Sequence, residues 1–139
     1  MHTISKTFLD TNVFVALRDE EDLTHSKAII LYDLVKSQKI KLYTSSDIIA
    51  ETLTVMSKKV DKKSALEFLD WIEGRIGEIF IDENLHKETR KFFKSVKSKN
   101  ISFIDCSSVV AMKRNKIKYI FSFDEDFKKM GVELLSDAV

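Results

Sequence analysis

Thr7-Phe8-Leu9-Asp10-Thr11-Asn12-Val13-Phe14 is the stretch that decides how this chain folds. An apolar run stops at an acid, and Val13, Phe14 and Leu17 then return at helical spacing, so a strand ends at Asp10 and a helix follows. The same alternation runs outward along the chain. Ala28, Ile29, Leu31, Tyr32, Leu34 and Val35 fall mostly on one helical face, and Leu42-Tyr43-Thr44 reads as a second strand. Ser45 and Ser46 each offer an N-cap to a helix carrying Ile48, Ile49, Leu53 and Met56, with Glu51 inside it. Asp61 caps a further helix through Ala65, Phe68, Leu69 and Ile72, which Gly74 or Gly77 ends. Ile79-Phe80-Ile81 reads as a strand, and Leu85, Thr89, Phe92, Phe93 and Val96 as an amphipathic helix. Ile101 to Ile104 leads into a helix with Asp105 at its start. Tyr119 to Phe123 reads as a buried strand, Asp124 to Met130 as a short helix, and Val132 to Leu135 as a last edge strand. Strands alternating with helices predict an α/β fold of three layers, α/β/α, around a mostly parallel sheet of four to five strands.

Composition sets the outer limits. With 139 residues, 44% hydrophobic and 32% charged, the chain has globular composition and the size to bury roughly 70% of its unfolded surface. Residues 1–139 read as a single domain, without repeats, low-complexity tracts or Gly/Ser linkers. No apolar run approaches the roughly 18 residues of a membrane span, and Met1 to Lys6 lacks a signal-peptide core, so the expectation is a cytoplasmic protein with no membrane partner. The lone cysteine, Cys106, excludes an internal disulfide and a cysteine-rich zinc site. His2, His25 and His86 are too scattered to share a metal. The net charge of +1 comes from 23 basic and 22 acidic residues.

The chemistry lies in acids at strand and helix junctions. Asp10 and Asp124 follow strands, at the edge where open α/β sheets form their crevice; Asp105 opens a helix, and Glu51 sits a turn or two into another. Singly, each has an ordinary reading: an Asx turn, an N-cap, a surface glutamate, a turn. Together they form four carboxylates from four distant segments, a repulsive set that calls for a divalent cation, and oxygen-only donors favour Mg²⁺ or Mn²⁺ over zinc.

Leu9-Asp10-Thr11-Asn12, Ala50-Glu51-Thr52, Ile104-Asp105 and Ser122-Phe123-Asp124 with Asp126-Phe127 resemble, in order and over nearly the whole chain, the four acidic motifs of the PIN-domain family, especially its VapC-type toxins. Cys106 departs from the small residue that usually follows the third aspartate. The resemblance implies a Mg²⁺- or Mn²⁺-dependent endoribonuclease, the toxin of a toxin-antitoxin pair, whose RNA products carry 5′-phosphate and 3′-hydroxyl ends. Its metal ligands would be Asp10, Asp105 and Asp124, with Asp126 replacing or assisting Asp124. Glu51 would position the water, take its proton or hold a second metal. Asn12 and Ser122 would support the acids by hydrogen bonds. The resemblance also implies a small antitoxin placing a basic side chain among Asp10, Glu51 and Asp105. Family habit and the spare apolar positions Ile29, Leu31, Tyr32, Leu34 and Val35 imply a homodimer.

For RNA binding, Lys113, Arg114 and Lys116 follow the Asp105 helix and are the candidates; the run Lys58 to Lys63 could also contact phosphates, but the solvated-face reading is favoured for it. Trp71 and the phenylalanines read as core or interface residues. Three other readings compete. A free-standing RNA-processing nuclease would share the site, and a noncatalytic PIN-like binding module would not need all four acids. A phosphoacceptor domain would need a lysine where the Tyr119 strand instead ends in Asp124.

Overall fold

The computed structural model describes residues 3–139, so Met1 and His2 lie outside the described residues. Five strands, β1 (Lys6–Leu9), β2 (Lys41–Ser45), β3 (Gly77–Ile79), β4 (Tyr119–Phe121) and β5 (Glu133–Leu134), form one sheet in the order β3-β2-β1-β4-β5. Every neighbouring pair is parallel. The helices are α1 (Thr11–Arg18), α2 (His25–Ser37), α3 (Ser46–Lys59), α4 (Lys62–Ile72), α5 (Glu83–Ser95), α6 (Phe103–Arg114) and α7 (Leu135–Ala138). Parallel strands need crossovers, and these helices supply them while covering the sheet. Consecutive Phe8 and Leu9 are therefore both fully buried, as are Ile120 and Phe121, where a one-sided sheet would alternate. No helix among the described residues is long and apolar enough to cross a membrane.

Strand order reverses between β1 and β4: from β1 the chain builds outward through β2 and β3, then returns to place β4 on the other flank. That is a topological switch point, and a crevice opens beyond the carboxyl ends of β1 and β4. Buried side chains pin the central strands there. Thr44 donates its hydroxyl to the Leu9 carbonyl (2.9 Å), and Thr7 donates to the Tyr119 carbonyl (3.1 Å). The Asp10 amide continues the β1 to β4 pairing by donating to the Phe121 carbonyl at 3.1 Å.

Several local expectations resolve. Ser45, not Ser46, caps α3, accepting from the Ile48 amide. The Ser46 hydroxyl accepts instead from the Ile81 amide at 2.8 Å. Asp61 caps α4, and Gly74, at φ 75°, takes the left-handed backbone just after that helix. Gly77 has another role. A Cβ there would meet the Tyr43 ring at 2.9 Å, so the missing side chain lets β3 lie against β2. This moves the third strand to Gly77–Ile79 from the expected Ile79–Ile81, leaving Phe80 exposed. The segment after Phe123 is a 3-10 helix, Glu125–Met130, capped by Asp124 and closed by Gly131 at φ 83°.

The apolar positions of α2 divide: Leu31 and Val35 enter the core, while Ile29 and Ile30 face outward. Because Thr44 ties β2 to the last residue before Asp10, Thr44→Val should lower stability by about 1 kcal/mol, through loss of a buried hydrogen bond without loss of volume. Urea unfolding measures this, with the m-value unchanged.

Candidate active site

Asp10 is the residue around which the crevice is arranged. It ends β1 in extended backbone and caps α1, with Oδ1 accepting from the Thr11 amide at 2.9 Å. Oδ2 accepts from the Ser122 hydroxyl at 2.8 Å. The Ser122 oxygen in turn accepts from the Asn12 side-chain amide and the Asp124 backbone amide, each at 3.1 Å. Asn12 closes the loop by accepting from the Phe123 amide at 3.3 Å. Asn12 and Ser122 thus hold the first and last acidic segments together, one from each side of the switch point.

The other acids arrive on helices. Glu51, in the second turn of α3, accepts from the Thr11 hydroxyl, so the residue after Asp10 orients it. At the start of α6, the Ser102 hydroxyl accepts from the Asp105 amide (3.0 Å), and Asp105 Oδ2 accepts from the Ser102 amide (2.9 Å). This is a capping box that fixes the carboxylate at a helix N-terminus, where the dipole favours negative charge. The Ser107 hydroxyl donates to Asp47 at 2.7 Å, bracing α6 against the first turn of α3.

Asp10, Glu51, Asp105 and Asp124 line one cleft of about 440 Å³, with Thr11, Asn12 and Phe123 in its wall. Asp126 stays outside that lining: Lys129 pairs with it at 2.9 Å, while its backbone amide donates to Asp124 Oδ1. Lys113, Arg114 and Lys116 are not brought to the cleft. Lys113 and Arg114 end α6, and Lys116 follows it, at the opposite edge of the sheet, where the Lys6 ammonium, at the start of β1, donates to the Asn115 carbonyl. Arg114 is paired there with Glu88 at 2.7 Å, and the Lys113 ammonium lies over the Phe92 ring. His25 contacts the Ala16 carbonyl and His86 packs on Phe103, while Cys106 is fully buried.

Electrostatics follows from this packing. Burial pushes the Asp10 carboxyl up from 3.8 to about 7, opposed by the Ser122 hydrogen bond and reinforced by the charge of Asp105. Asp105 is also raised, first by burial and then, against its bonds to Ser102, by Asp124 and Glu51. No salt bridge reaches either acid among the described residues. Nor does any group of three or more His, Cys, Asp or Glu among them close tightly enough to grip an ion as it stands. The donor set is nonetheless of one kind, carboxylate oxygens around a cleft in which ionising Asp10 is costly. The chemistry of the donor set suits a divalent cation, which would compensate that charge.

The profile of the PIN domain matches residues 7–133. The chain belongs to the PIN domain family. Among similar PIN proteins is Ribonuclease VapC1 of Aquifex aeolicus, 28% identical over 137 residues, covering 94% of this chain and 90% of that one. Another is the 23S rRNA-specific endonuclease VapC20 of Mycobacterium tuberculosis, 22% identical over 89% of this chain and 93% of its own. The crystal structure of VapC20, described as a Sarcin-Ricin loop cleaving toxin, aligns with a TM-score of 0.83 at 22% identity, covering 92% of this chain and 96% of that one. VapBC2 of Rickettsia felis bound to a promoter DNA fragment aligns at 0.66 and 17% identity, over 93% and 96%. At these identities the two structures support the fold alone.

The cleft wall also holds Asp22 and Thr24, which the sequence did not single out, together with Thr11 and with Lys59 from the Lys58–Lys63 run read as a solvated face. Thr11 stood inside the quoted motif, and Lys59 lies on the same face of α3 as Glu51, eight residues on. A larger groove of about 620 Å³ between α1, α2 and α4 is walled by Phe14, Tyr32, Phe68 and Trp71. Its Glu67 is neutralised by Arg18 at 2.9 Å.

The raised Asp10 pKa has a definite sign for stability. The unfolded chain releases this proton near pH 3.8, whereas the folded chain keeps it to about 7. Folding is therefore unpenalised below pH 3.8 and loses stability as pH rises toward 7, by on the order of 4 kcal/mol in full. In EDTA, Asp10→Asn should melt above the wild type at pH 8, and the advantage should disappear near pH 4. Calorimetric melting across that range checks it; a pH-independent difference would overturn the assignment.

Proposed function

We propose that this PIN domain is a Mg²⁺- or Mn²⁺-dependent endoribonuclease, the toxin of a toxin-antitoxin pair, hydrolysing RNA phosphodiester bonds at the Asp10 cleft. One observation carries the reading: four carboxylates from four separated segments line a single crevice at the switch point, with the deepest of them buried and without a cationic partner among the described residues. Family membership and the names of the similar ribonucleases support it.

In this reading Asp10, Asp105 and Asp124 hold the metal. A metal held there would supply Lewis-acid chemistry, polarising the phosphate and lowering the pKa of a water nucleophile. Asp10 presents its carboxylate from a fixed position because Thr11 and Ser122 occupy it from two sides. Glu51, oriented by the Thr11 hydroxyl, aims the attacking water and accepts its proton. Asn12 and Ser122 are positioning residues: they keep Asp10 and Asp124 in register and touch no reacting atom. Hydrolysis leaves a 5′-phosphate and a 3′-hydroxyl. Asp126, committed to Lys129 and outside the cleft lining, assists through its neighbour Asp124.

Partners follow from the same charge pattern. A small antitoxin carrying a basic side chain satisfies the carboxylates in place of metal, and so silences the enzyme. Two copies of the chain pair through the outward apolar positions of α2, Ile29 and Ile30. Light scattering at micromolar concentration should give twice the 16.1 kDa chain mass; a monomeric mass would remove the pairing.

Cleavage of a fluorophore-quenched single-stranded RNA in Mg²⁺ or Mn²⁺ tests the enzyme reading. Asp105→Asn should abolish turnover with the fold intact by circular dichroism. Ser122→Ala should lose roughly 10- to 100-fold, the scale for removing the support of a ligand. Near-wild-type cleavage by Asp105→Asn would overturn the site.

A further inference from the structure

A metal among the acids would engage the scissile phosphate only, so the flanking RNA backbone beside this acidic cleft calls for a cation of the protein's own. Among the described residues lining the cleft, Lys59 is the one lysine or arginine. Glu51, Val55 and Lys59 form a stripe along α3 and all line that cleft. Eight residues of helix place the lysine about 12 Å along the axis from Glu51. A strand whose scissile phosphate lies among the acids would run past it.

The lysine is held in a particular way. Its ammonium contacts Asp22 Oδ2 at 2.9 Å and Asp19 at 3.7 Å, both in the loop between α1 and α2. Asp22 does not depend on it, since Oδ1 accepts from the Thr24 hydroxyl at 2.6 Å and the Thr24 amide at 2.8 Å. The Lys59 side chain is 48% exposed although Asp22 and Asp19 are only 16% and 15% exposed, so its ammonium stays open to solvent on the side away from them. An ammonium has three rotatable donors and can pass from Asp22 to a phosphate oxygen. Lys59 is thus a paired cation that lines the cleft with half its side chain open to solvent.

We infer that Lys59 is the phosphate-binding residue of this cleft, gripping the RNA backbone beyond the scissile bond, with Asp22 as the rest on which its ammonium is parked between substrates. The inference rests on the ribonuclease reading and deepens it. The site recognises phosphodiester and not base, so Lys59 supplies affinity without sequence preference.

The test uses the full chain with Lys59→Gln, Lys59→Arg, Asp22→Asn and, at the opposite edge of the sheet, Lys118→Gln, whose lysine pairs with Glu133 at 3.1 Å. Steady-state cleavage of the single-stranded RNA gives KM and kcat. Fluorescence anisotropy against salt, with each variant placed in the non-cleaving Asp105→Asn background, gives Kd and its salt slope. Lys59→Gln should raise KM and Kd roughly 5- to 10-fold and flatten the slope of log K against log salt by about 0.7, one phosphate on a single strand. Lys59→Arg should restore both. Asp22→Asn should tighten binding, because it frees the lysine, and Lys118→Gln should leave the slope where it is.

A lysine that merely staples α3 to the loop would behave otherwise. Asp22→Asn would then weaken binding as Lys59→Gln does, and neither would move the slope; that pattern overturns the inference. If the wild type cuts no RNA while the slope still shifts with Lys59, the ribonuclease reading fails and the phosphate contact stands. If it cuts and the slope is unmoved, the phosphate contact alone fails.

Discussion

A carboxylate held at the junction of two central strands organises this molecule. Asp10 is nearly buried at the end of β1, where burial and the neighbouring Asp105 hold its proton on to about pH 7. Such a group destabilises the metal-free fold, and the surrounding structure is built to keep it in place. The Thr11 amide and Ser122 hydroxyl fix its two oxygens, and Ser122 is itself fixed by Asn12 and the Asp124 amide. These bonds span the switch point, so the sheet order and the acidic site are one arrangement. A different order of strands would part Asp10 from Ser122, 112 residues away in sequence.

The helices complete the site by bringing their first turns to the same edge. α1 begins on Asp10 itself, α3 begins one residue after β2, and α6 is capped by Ser102. Helix starts carry free amides and a positive dipole end, which tolerate the negative charge that accumulates here. Some repulsion remains, since Asp105 is raised by burial, Asp124 and Glu51 despite its bonds to Ser102. That residual repulsion leaves a cleft that favours positive charge.

Much of this was legible in the sequence because it is written in local chemistry. The run from Thr7 to Phe14 contains strand, acid, cap and helix in order, and the fully buried pairs Phe8-Leu9 and Ile120-Phe121 explain why the strands read as unbroken apolar runs. Asp61 and Ser45 as caps were readable for the same reason. What was not legible depends on contacts between distant segments. β3 lies two residues earlier than Ile79-Phe80-Ile81 suggests, because Gly77 admits the Tyr43 ring and Ser46 holds Ile81 away from the sheet. The apolar count on α2 did not disclose that Leu31 and Val35 go to the core while Ile30 goes outward.

The basic residues are the instructive case. Lys113 and Arg114 follow Asp105 within one helix, and closeness in sequence makes them natural company for the site. A helix separates its two ends by about 1.5 Å per residue, so α6 carries them roughly 12–14 Å from Asp105. The preference that seats a carboxylate at the N-terminus of α6 also seats Lys113 and Arg114 in its last turn, where cations meet the negative end of the dipole. Acid-first, base-last is thus the signature of a well-formed helix and says nothing about a shared cleft. Lys59 is the counterexample that the fold supplies. It too lies in the last turn of its helix, but Glu51 sits in the second turn of α3 and Val55 lies between them on the same face, so this helix runs along the cleft instead of away from it. The direction in which a helix leaves the sheet edge, more than its charge pattern, decides which lysine can meet a phosphate.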